Sequence, residues 1–264
     1  MSLKSVLVIF GSRQIARRLS ACLLVMMFSV LAHAEFQNET LRYVVTYKWG
    51  VIHKDAGDAV LRLKNSGGKY NIVLTARSKP WADKIYSVRD TLRATILKSP
   101  LRPLRYEKAA KEAGKYKKDV ITYAYSGNKT IANAVRSKVT SKERKTLKKT
   151  FTAHDTAYDF ISIFYYLRAL DYSSLRPGTI IKKTVFSGSK SELIIIKCRG
   201  RQVITLRDKT KADTWHISFR FTTEGGKKSS DDINVWMSTG NTHIPLLLEG
   251  SLPVGKIRCQ YLGD

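Results

Sequence analysis

Apolar and polar side chains alternate with a period of two along much of this chain, and this pattern constrains its fold more than any other feature. The clearest run is Trp215, Ile217, Phe219 and Phe221, with polar or charged residues between them. A period of two is typical of a β-strand that buries one face, as in antiparallel sheets. The same alternation occurs in residues 41–49, 70–76, 86–96 and 121–125. The chain is therefore predicted to be mainly β.

Short glycine-containing segments separate these runs. They read Asn-Ser-Gly-Gly at 65–68, Ser-Gly-Asn at 126–128, Gly-Ser at 188–189 and Glu-Gly-Gly at 224–226. Glycine and asparagine are common in tight turns because they tolerate a positive φ. Many strands joined by short turns favour one large, curved antiparallel sheet, either a spiral or an incomplete barrel, over βαβ units.

One segment, between residues 157 and 170, has helical spacing instead. Its apolar positions are Phe160, Ile163, Phe164, Leu167 and Leu170. Asp155 or Thr156 is positioned to cap the start, and Pro177-Gly178 lies beyond the end. Apolar side chains also fill much of the opposite side, and a helix of this kind is expected to be buried. We predict one buried apolar helix inside the curl of the sheet.

The first 34 residues have the three parts of a secretory signal peptide. Its basic region contains Lys4, Arg13, Arg17 and Arg18. An apolar run at 21–31 follows, shorter than the roughly 20 residues of a membrane span, and 32–34 read Ala-His-Ala. We predict cleavage between Ala34 and Glu35, which leaves 35–264 as a single soluble β-rich domain in the periplasm. The alternative is lipoprotein-type processing at Cys22, but basic residues precede that site where the hydrophobic stretch should lie.

The chain is strongly basic. It has 47 Lys and Arg against 21 Asp and Glu, a formal charge of +26. Four of the basic residues belong to the predicted signal peptide, which leaves +22 for residues 35–264. Such a charge favours polyanions through counterion release. For an exported protein these are anionic lipid, lipopolysaccharide or acidic glycan, and nucleic acid is the weaker interpretation. The charge also serves solubility alone in many proteins.

The positive charge is concentrated in residues 97–150, which hold 16 Lys or Arg and 4 Asp or Glu. Its densest part, residues 136–149, contains the candidate contacts to an anionic surface. They are Lys138, Lys142, Arg144, Lys145, Lys148 and Lys149. The alternative interpretation is a solvated strand or loop without a binding role.

Two cysteines, Cys198 and Cys259, follow the predicted cleavage site. An oxidising compartment permits a disulfide between them, provided that their Cα atoms lie within about 7 Å. Each also fits a strand as a small buried apolar residue. The sequence leaves both interpretations open.

The mature chain lacks the common catalytic signatures. No CxxC, HExxH, GxSxG, GxxxxGK[ST] or GxGxxG motif occurs in residues 35–264. These motifs mark frequent zinc, nucleophile and nucleotide sites. We therefore predict a protein that is not an enzyme, with no catalytic residues, no cofactor and no metal ligands.

Four segments in combination carry a resemblance to a known family. They read YKWGVIHKDAG at 47–57, YDFISIFYYLR at 158–168, PGT at 177–179, and INVWMS at 233–238 running on to Ile244-Pro245. The chain resembles domain-of-unknown-function family 3108, found in exported proteins of Gram-negative bacteria. The resemblance implies a periplasmic, β-rich single domain, broadly similar to lipoprotein-carrier-like folds. It implies no activity, and therefore no catalytic residues.

These observations lead to a functional hypothesis. The chain is expected to be an exported, non-catalytic envelope protein whose curved sheet binds an apolar or amphipathic molecule, or whose basic segment binds an anionic envelope component. The alternative is a scaffolding protein with a filled interior, since aromatic side chains inside a curled sheet commonly pack on one another. An enzyme of unfamiliar type is the third hypothesis.

Overall fold

The computed structural model describes residues 35–140, 143–223, 226–227, 230–252 and 255–263. The predicted signal peptide, including Ala34 at its cleavage site, lies outside these residues, as does Lys142. Glu35, the predicted first residue of the mature chain, forms an ion pair with Lys98, with 3.0 Å between Oε1 and Nζ.

Strands make up most of the described chain. The first eight are β1 Glu39–Trp49, β2 Ile52–Ser66, β3 Lys69–Ser78, β4 Val88–Leu97, β5 Pro103–Glu112, β6 Lys115–Ser126, β7 Lys129–Val139 and β8 Arg144–Ala153. The others are β9 Ala157–Tyr158, β10 Ile180–Phe186, β11 Ser191–Thr205, β12 Lys211–Thr223, β13 Ile233–Ser238, β14 Pro245–Ser251 and β15 Lys256–Gly263. The helices are α1 Pro80–Asp83, α2 Phe160–Arg168 and a 3₁₀ turn at Tyr172–Ser174.

All fifteen strands form one sheet, in the order β8-β7-β6-β5-β4-β3-β2-β1-β15-β14-β13-β12-β11-β10-β9. β8 and β9 are thus its two edges, yet only residues 154–156 separate them in sequence. A connection of that length spans little because each residue reaches at most about 3.6 Å. The sheet must therefore curl until its edges meet, which gives a nearly closed barrel. This confirms the predicted fold class.

The strand predictions agree with this sheet. The alternating runs at 41–49, 70–76, 121–125 and 215–221 lie within β1, β3, β6 and β12. The predicted run at 86–96 begins two residues before the strand, because β4 starts at Val88 and the Tyr86 side chain is half exposed. Neighbouring strands pair antiparallel, apart from the short parallel pair β9–β10.

Arg136 joins the two ends of the curled sheet. From β7 it binds Asp119 of β6 with two hydrogen bonds, of 2.5 and 2.7 Å. Its guanidinium also donates to the Ser187 carbonyl oxygen at 2.9 Å and to the Ser189 hydroxyl, both in the β10–β11 turn. Gly188 in this turn packs so closely on Asp119 that a Cβ there would lie 2.5 Å from Cγ of the aspartate.

Helix α2 lies inside the barrel, as predicted, but its start differs from the prediction. Asp159 caps it, accepting hydrogen bonds of 2.9 Å from the amides of Ile161 and Ser162, and Ser162 Oγ accepts from the Asp159 amide at 2.8 Å. The predicted caps Asp155 and Thr156 are wrong because residues 157–158 pair as β9. The helix also ends at Arg168, before Leu170.

Arg168 anchors α2 to the wall of the barrel. Its side chain is fully buried and forms a bidentate ion pair with Glu39 of β1. Its Nε donates to the Thr242 carbonyl oxygen at 3.0 Å, and its guanidinium lies 4.8 Å from the centre of the Phe36 ring. The buried charge is tolerated because Nε and both terminal nitrogens of the guanidinium have hydrogen-bond acceptors.

Candidate functional site

The barrel is packed at one end and hollow at the other. Near the start of β1, Phe36, Leu41 and Ile96 are fully buried and pack in one core with Tyr165 of α2. Near the end of β1 lies a cavity of about 660 Å³, which we call the apolar cavity. Its wall is formed by Val45 and Tyr47 of β1, Ala56, Gly57 and Asp58 of β2, Ala76, Arg77 and Ser78 of β3, Val88 of β4, Trp81, Ala82, Ile85 and Tyr86 around α1, and Leu252 and Ile257.

Small side chains account for the free space. Ala56, Gly57, Ala76 and Ala82 occupy wall positions at which larger residues would fill the barrel. Gly57 cannot be replaced easily, because a Cβ there would lie 2.8 Å from the Arg77 carbonyl oxygen. A bulge follows at once: Val45 pairs with Gly57 but Thr46 pairs with Asp55, which leaves Ala56 as the extra residue. Bulges are common at the rims of barrels and beside binding sites.

A smaller cavity, of about 200 Å³, continues the apolar cavity toward α2. It is lined by Tyr43, Ala59, Leu61, Leu74, Phe160, Ile161, Phe164, Leu248 and Cys259. Alternation along a strand places Tyr43, Val45 and Tyr47 on one face of β1, and the same holds for Leu74 and Ala76 on β3. The two cavities therefore share one continuous inward-facing surface.

Exposed apolar side chains occur in the lining of the apolar cavity, at Ile85, Tyr86 and Leu252, and on the β1–β2 hairpin at the same end of the barrel. With Trp49, Val51 and Ile52 of the hairpin, they make up six of the thirteen exposed large apolar residues in the described chain. The Val51 side chain, at the tip of the β1–β2 hairpin, is fully exposed. α1 is held against β2 because Trp81 Nε1 donates to the Asp55 carbonyl oxygen at 2.7 Å. Patches of this kind commonly mark ligand or membrane contacts.

The opposite wall at the same end is charged. A third cavity, of about 160 Å³, is lined there by Lys108, Glu112, Lys117, Asp119, Arg136, Lys138, Phe160 and Ser187; we call it the basic pocket. Lys108 pairs with Asp90 at 3.3 Å and with Glu112 at 3.4 Å. Burial raises the pKa of the Asp90 carboxyl. Phe160 lines both this pocket and the smaller apolar cavity, so the apolar and charged walls meet at its ring.

The candidate surface contacts do not form one surface. Lys138 lies on β7, and Arg144, Lys145, Lys148 and Lys149 lie on β8. By alternation, Lys145 and Lys149 share the inward face of β8 with buried Phe151, whereas Arg144 and Lys148 point outward. The segment is an exposed edge strand, and the charges that appear continuous in the sequence are divided between its two faces.

Both cysteines are free thiols in the structure, so the disulfide alternative is not observed. Cys198 lies on β11 and Cys259 on β15, with β12, β13 and β14 between them. Four steps of about 4.8 Å along the sheet exceed the reach of a disulfide. Burial raises the pKa of the Cys259 thiol to about 12.

A polar cluster at the start of α2 was not predicted. Burial raises the pKa of Asp159 to about 6, although two amides bind its Oδ1. Asp159 Oδ2 and the hydroxyls of Tyr106 and Tyr123 are buried without a hydrogen-bond partner among the described residues. Sequence periodicity could not locate these groups, because they come from three separate elements.

In the part of the chain that the structure describes, no three His, Cys, Asp or Glu residues are grouped so that they could hold a metal ion. Of the helices in the described ranges, none has the length and hydropathy required to cross a bilayer.

Comparisons with known proteins extend these observations. A family model described as "Protein of unknown function (DUF3108)" matches residues 42–260. Among solved structures, a beta-barrel-like protein of domain of unknown function DUF1849 from Brucella abortus is similar, with a TM-score of 0.55 and 10% identity. The alignment covers 87% of this chain and 97% of that chain, and at this identity it shows a shared fold. A comparison with curated proteins gives no match.

Proposed function

Because this chain belongs to the DUF3108 family of unknown function, we propose its function from the cavity itself. We propose that it is an exported, non-catalytic protein of the cell envelope that holds an apolar or amphipathic molecule in the hollow end of its barrel. The observation that carries this proposal is the apolar cavity of about 660 Å³.

The size and lining of the cavity support a ligand. Protein interiors pack densely and leave few voids larger than a water molecule. Sites for small molecules commonly measure about 300–1,000 Å³ and are lined mainly by apolar and aromatic side chains. A bound apolar group would gain roughly 25 cal/mol for each Å² it removes from water. The glycine and alanines of this wall maintain space that a packed core would have filled.

The residues at the opening of the apolar cavity support uptake of a ligand from an apolar environment. Ile85, Tyr86 and Leu252 line the cavity and are also exposed to solvent. A ligand that leaves a membrane or another carrier would pass these side chains without entering water fully. The β1–β2 hairpin, with exposed Val51 at its tip, lies at the same end of the barrel and adds apolar surface there.

Localisation in the periplasm rests on the signal-peptide pattern of residues 1–34. An anionic envelope component, such as lipid, lipopolysaccharide or acidic glycan, is a second partner in this proposal. Arg144 and Lys148 are the residues assigned to it, because both are exposed and point outward on the edge strand β8. The other candidate residues in the described part of that segment, Lys138, Lys145 and Lys149, face inward.

The packed end of the barrel supports a second candidate function, a scaffolding protein. The Arg168–Glu39 pair and the capped helix α2 give that half a fixed, filled interior. A scaffold of this type would keep its hollow end without a ligand.

Native mass spectrometry of the protein purified from its own host separates the two functions. We expect a bound apolar or amphipathic molecule, and we expect Ala76→Phe to abolish it by filling the cavity. Ala124→Phe on β6 is the matched control, because Ala124 is exposed on the outer face of its strand. Recovery of empty wild-type protein in repeated preparations would favour the scaffold.

A further inference from the structure

Three lysines stand directly opposite one another on adjacent strands at the hollow end. Lys117 of β6 pairs in register with Lys138 of β7, and Lys138 pairs with Lys145 of β8. Alternation places all three on the inward faces of their strands, because Ile121 and Ala134 on the first two strands and Phe151 on the third are buried. We call this set the lysine row.

Like charges directly opposite each other in a sheet are destabilising. Two other basic residues on this wall have a carboxylate partner: Lys108 pairs with Asp90, and Arg136 pairs with Asp119. None of the three lysines in the row has an ion-pair partner among the described residues. The fold therefore places three unpaired positive charges on the inward faces of these strands, where Lys117 is half-buried and Lys138 and Lys145 are exposed.

The lysine row is adjacent to the apolar surface. Lys117 and Lys138 line the basic pocket together with Phe160, and the Phe160 ring also lines the smaller apolar cavity. A second link is Tyr86, which lines the apolar cavity and donates from its hydroxyl to Glu112 of the basic pocket at 3.2 Å. One elongated molecule could thus contact both regions.

We infer that the ligand is a single-chain anionic lipid, with its tail in the apolar cavity and its carboxylate or phosphate at the lysine row. This inference rests on the proposed function and specifies its ligand class. An anionic head group would supply the missing counter-charge through charge-assisted hydrogen bonds from the lysine ammonium groups. The apolar wall alone would select for chain length but not for charge.

The test compares three probes of equal chain length: a long-chain fatty acid, its neutral methyl ester and the corresponding lysophosphatidic acid. Affinities are measured by displacement of a fluorescent apolar dye, below the micelle concentration of each probe. We expect wild-type protein to bind at least one acid about tenfold more tightly than the ester, which corresponds to about 1.4 kcal/mol. The acid that binds more tightly identifies the head group as a carboxylate or a phosphate.

In Lys117→Gln/Lys138→Gln this preference should disappear while affinity for the ester stays the same. The charge-matched control is Arg62→Gln/Lys64→Gln, two exposed residues on the outer face of β2, which should keep the preference. Thermal unfolding without ligand checks that each variant folds. If the lysine variant fails to fold, added salt should weaken the preference of the wild-type protein by screening.

Equal affinity of wild-type protein for acid and ester, with both abolished by Ala76→Phe, would overturn the inference and leave the proposed function intact. An acid preference that survives in the lysine variant would overturn the inference as well. If no probe binds and the protein from its host is empty, the proposed function fails, and the ligand class fails with it.

Discussion

Asp159 shows how a single residue serves two opposing demands. Its Oδ1 caps α2, which requires an acceptor at that position, while its Oδ2 is buried without a partner among the described residues. Burial raises the pKa of this carboxyl to about 6 because the charged form loses its hydration. The start of the helix requires the hydrogen-bond acceptor that Oδ1 provides, but it does not require the negative charge of the carboxylate.

This conflict predicts a pH dependence of stability. An aspartate whose pKa is raised in the folded state binds more protons when folded than when unfolded. Its contribution to stability is therefore full below the unfolded pKa of about 3.9 and is lost as pH rises to about 6. Asp159→Asn keeps a cap acceptor without the charge and should be more stable than wild type near neutral pH, by about 1–3 kcal/mol.

Urea unfolding of both proteins across this pH range provides the measurement. The difference in unfolding free energy between Asp159→Asn and wild type should grow between about pH 4 and about pH 6 and then level off. A difference that does not vary with pH would mean that the carboxyl titrates normally in the folded protein. Titration of other groups is common to both proteins and cancels.

Strands that bury one face could be predicted from the sequence. Strands that are exposed on both faces, or that are very short, could not. β1, β3, β6 and β12 alternate apolar and polar side chains over much of their length because one side of each contacts the core. β8 is exposed on both faces over most of its length, so its sequence carries no such alternation and a strand could not be distinguished from a loop. β9 has only two residues, too few to show a period. Because that strand could not be predicted, the helix cap was predicted at Asp155 or Thr156 instead of Asp159.

The turn between β10 and β11 predicts a specific sensitivity at Gly188. Gly188 has a φ of +79°, which is strained for any residue with a Cβ. A Cβ at this position would also clash with the Asp119 side chain, which binds Arg136. Gly127 has a φ of +59° but no atom within 4 Å of a Cβ, so Gly127→Ala isolates the cost of the backbone conformation. We expect Gly188→Ala to lower the unfolding free energy by about 1–3 kcal/mol more than Gly127→Ala does.

Equilibrium urea denaturation of the two alanine variants measures this difference. Equal losses would show that Asp119 moves aside without cost and that its close contact with the turn does not contribute to stability.

At the scale of the whole molecule, the sequence predicts a curved sheet but not its hollow end. Whether the interior is filled depends on how far fifteen strands curl and on where small residues such as Ala76 and Gly57 meet across the sheet. The same closure brings the lysines of β6, β7 and β8 to the end of the barrel that holds the apolar cavity. No local pattern records either placement, because each depends on the register of many strand pairs.

The division of charge between the two faces of β8 gives the last prediction. Only Arg144 and Lys148 of the described basic segment around β8 point outward there, so contact with a flat anionic membrane should depend on these two residues. Each basic residue near such a membrane contributes about 1 kcal/mol, and the pair therefore about 2 kcal/mol, or roughly thirtyfold in binding. Arg144→Gln/Lys148→Gln should reduce co-sedimentation with anionic vesicles by about that factor, and added salt should reduce wild-type binding similarly.

Arg62→Gln/Lys64→Gln removes the same charge elsewhere and should bind nearly as wild type does. Equal losses in the two variants would show that net charge alone drives the association, and the outward face of β8 would then not be a specific contact.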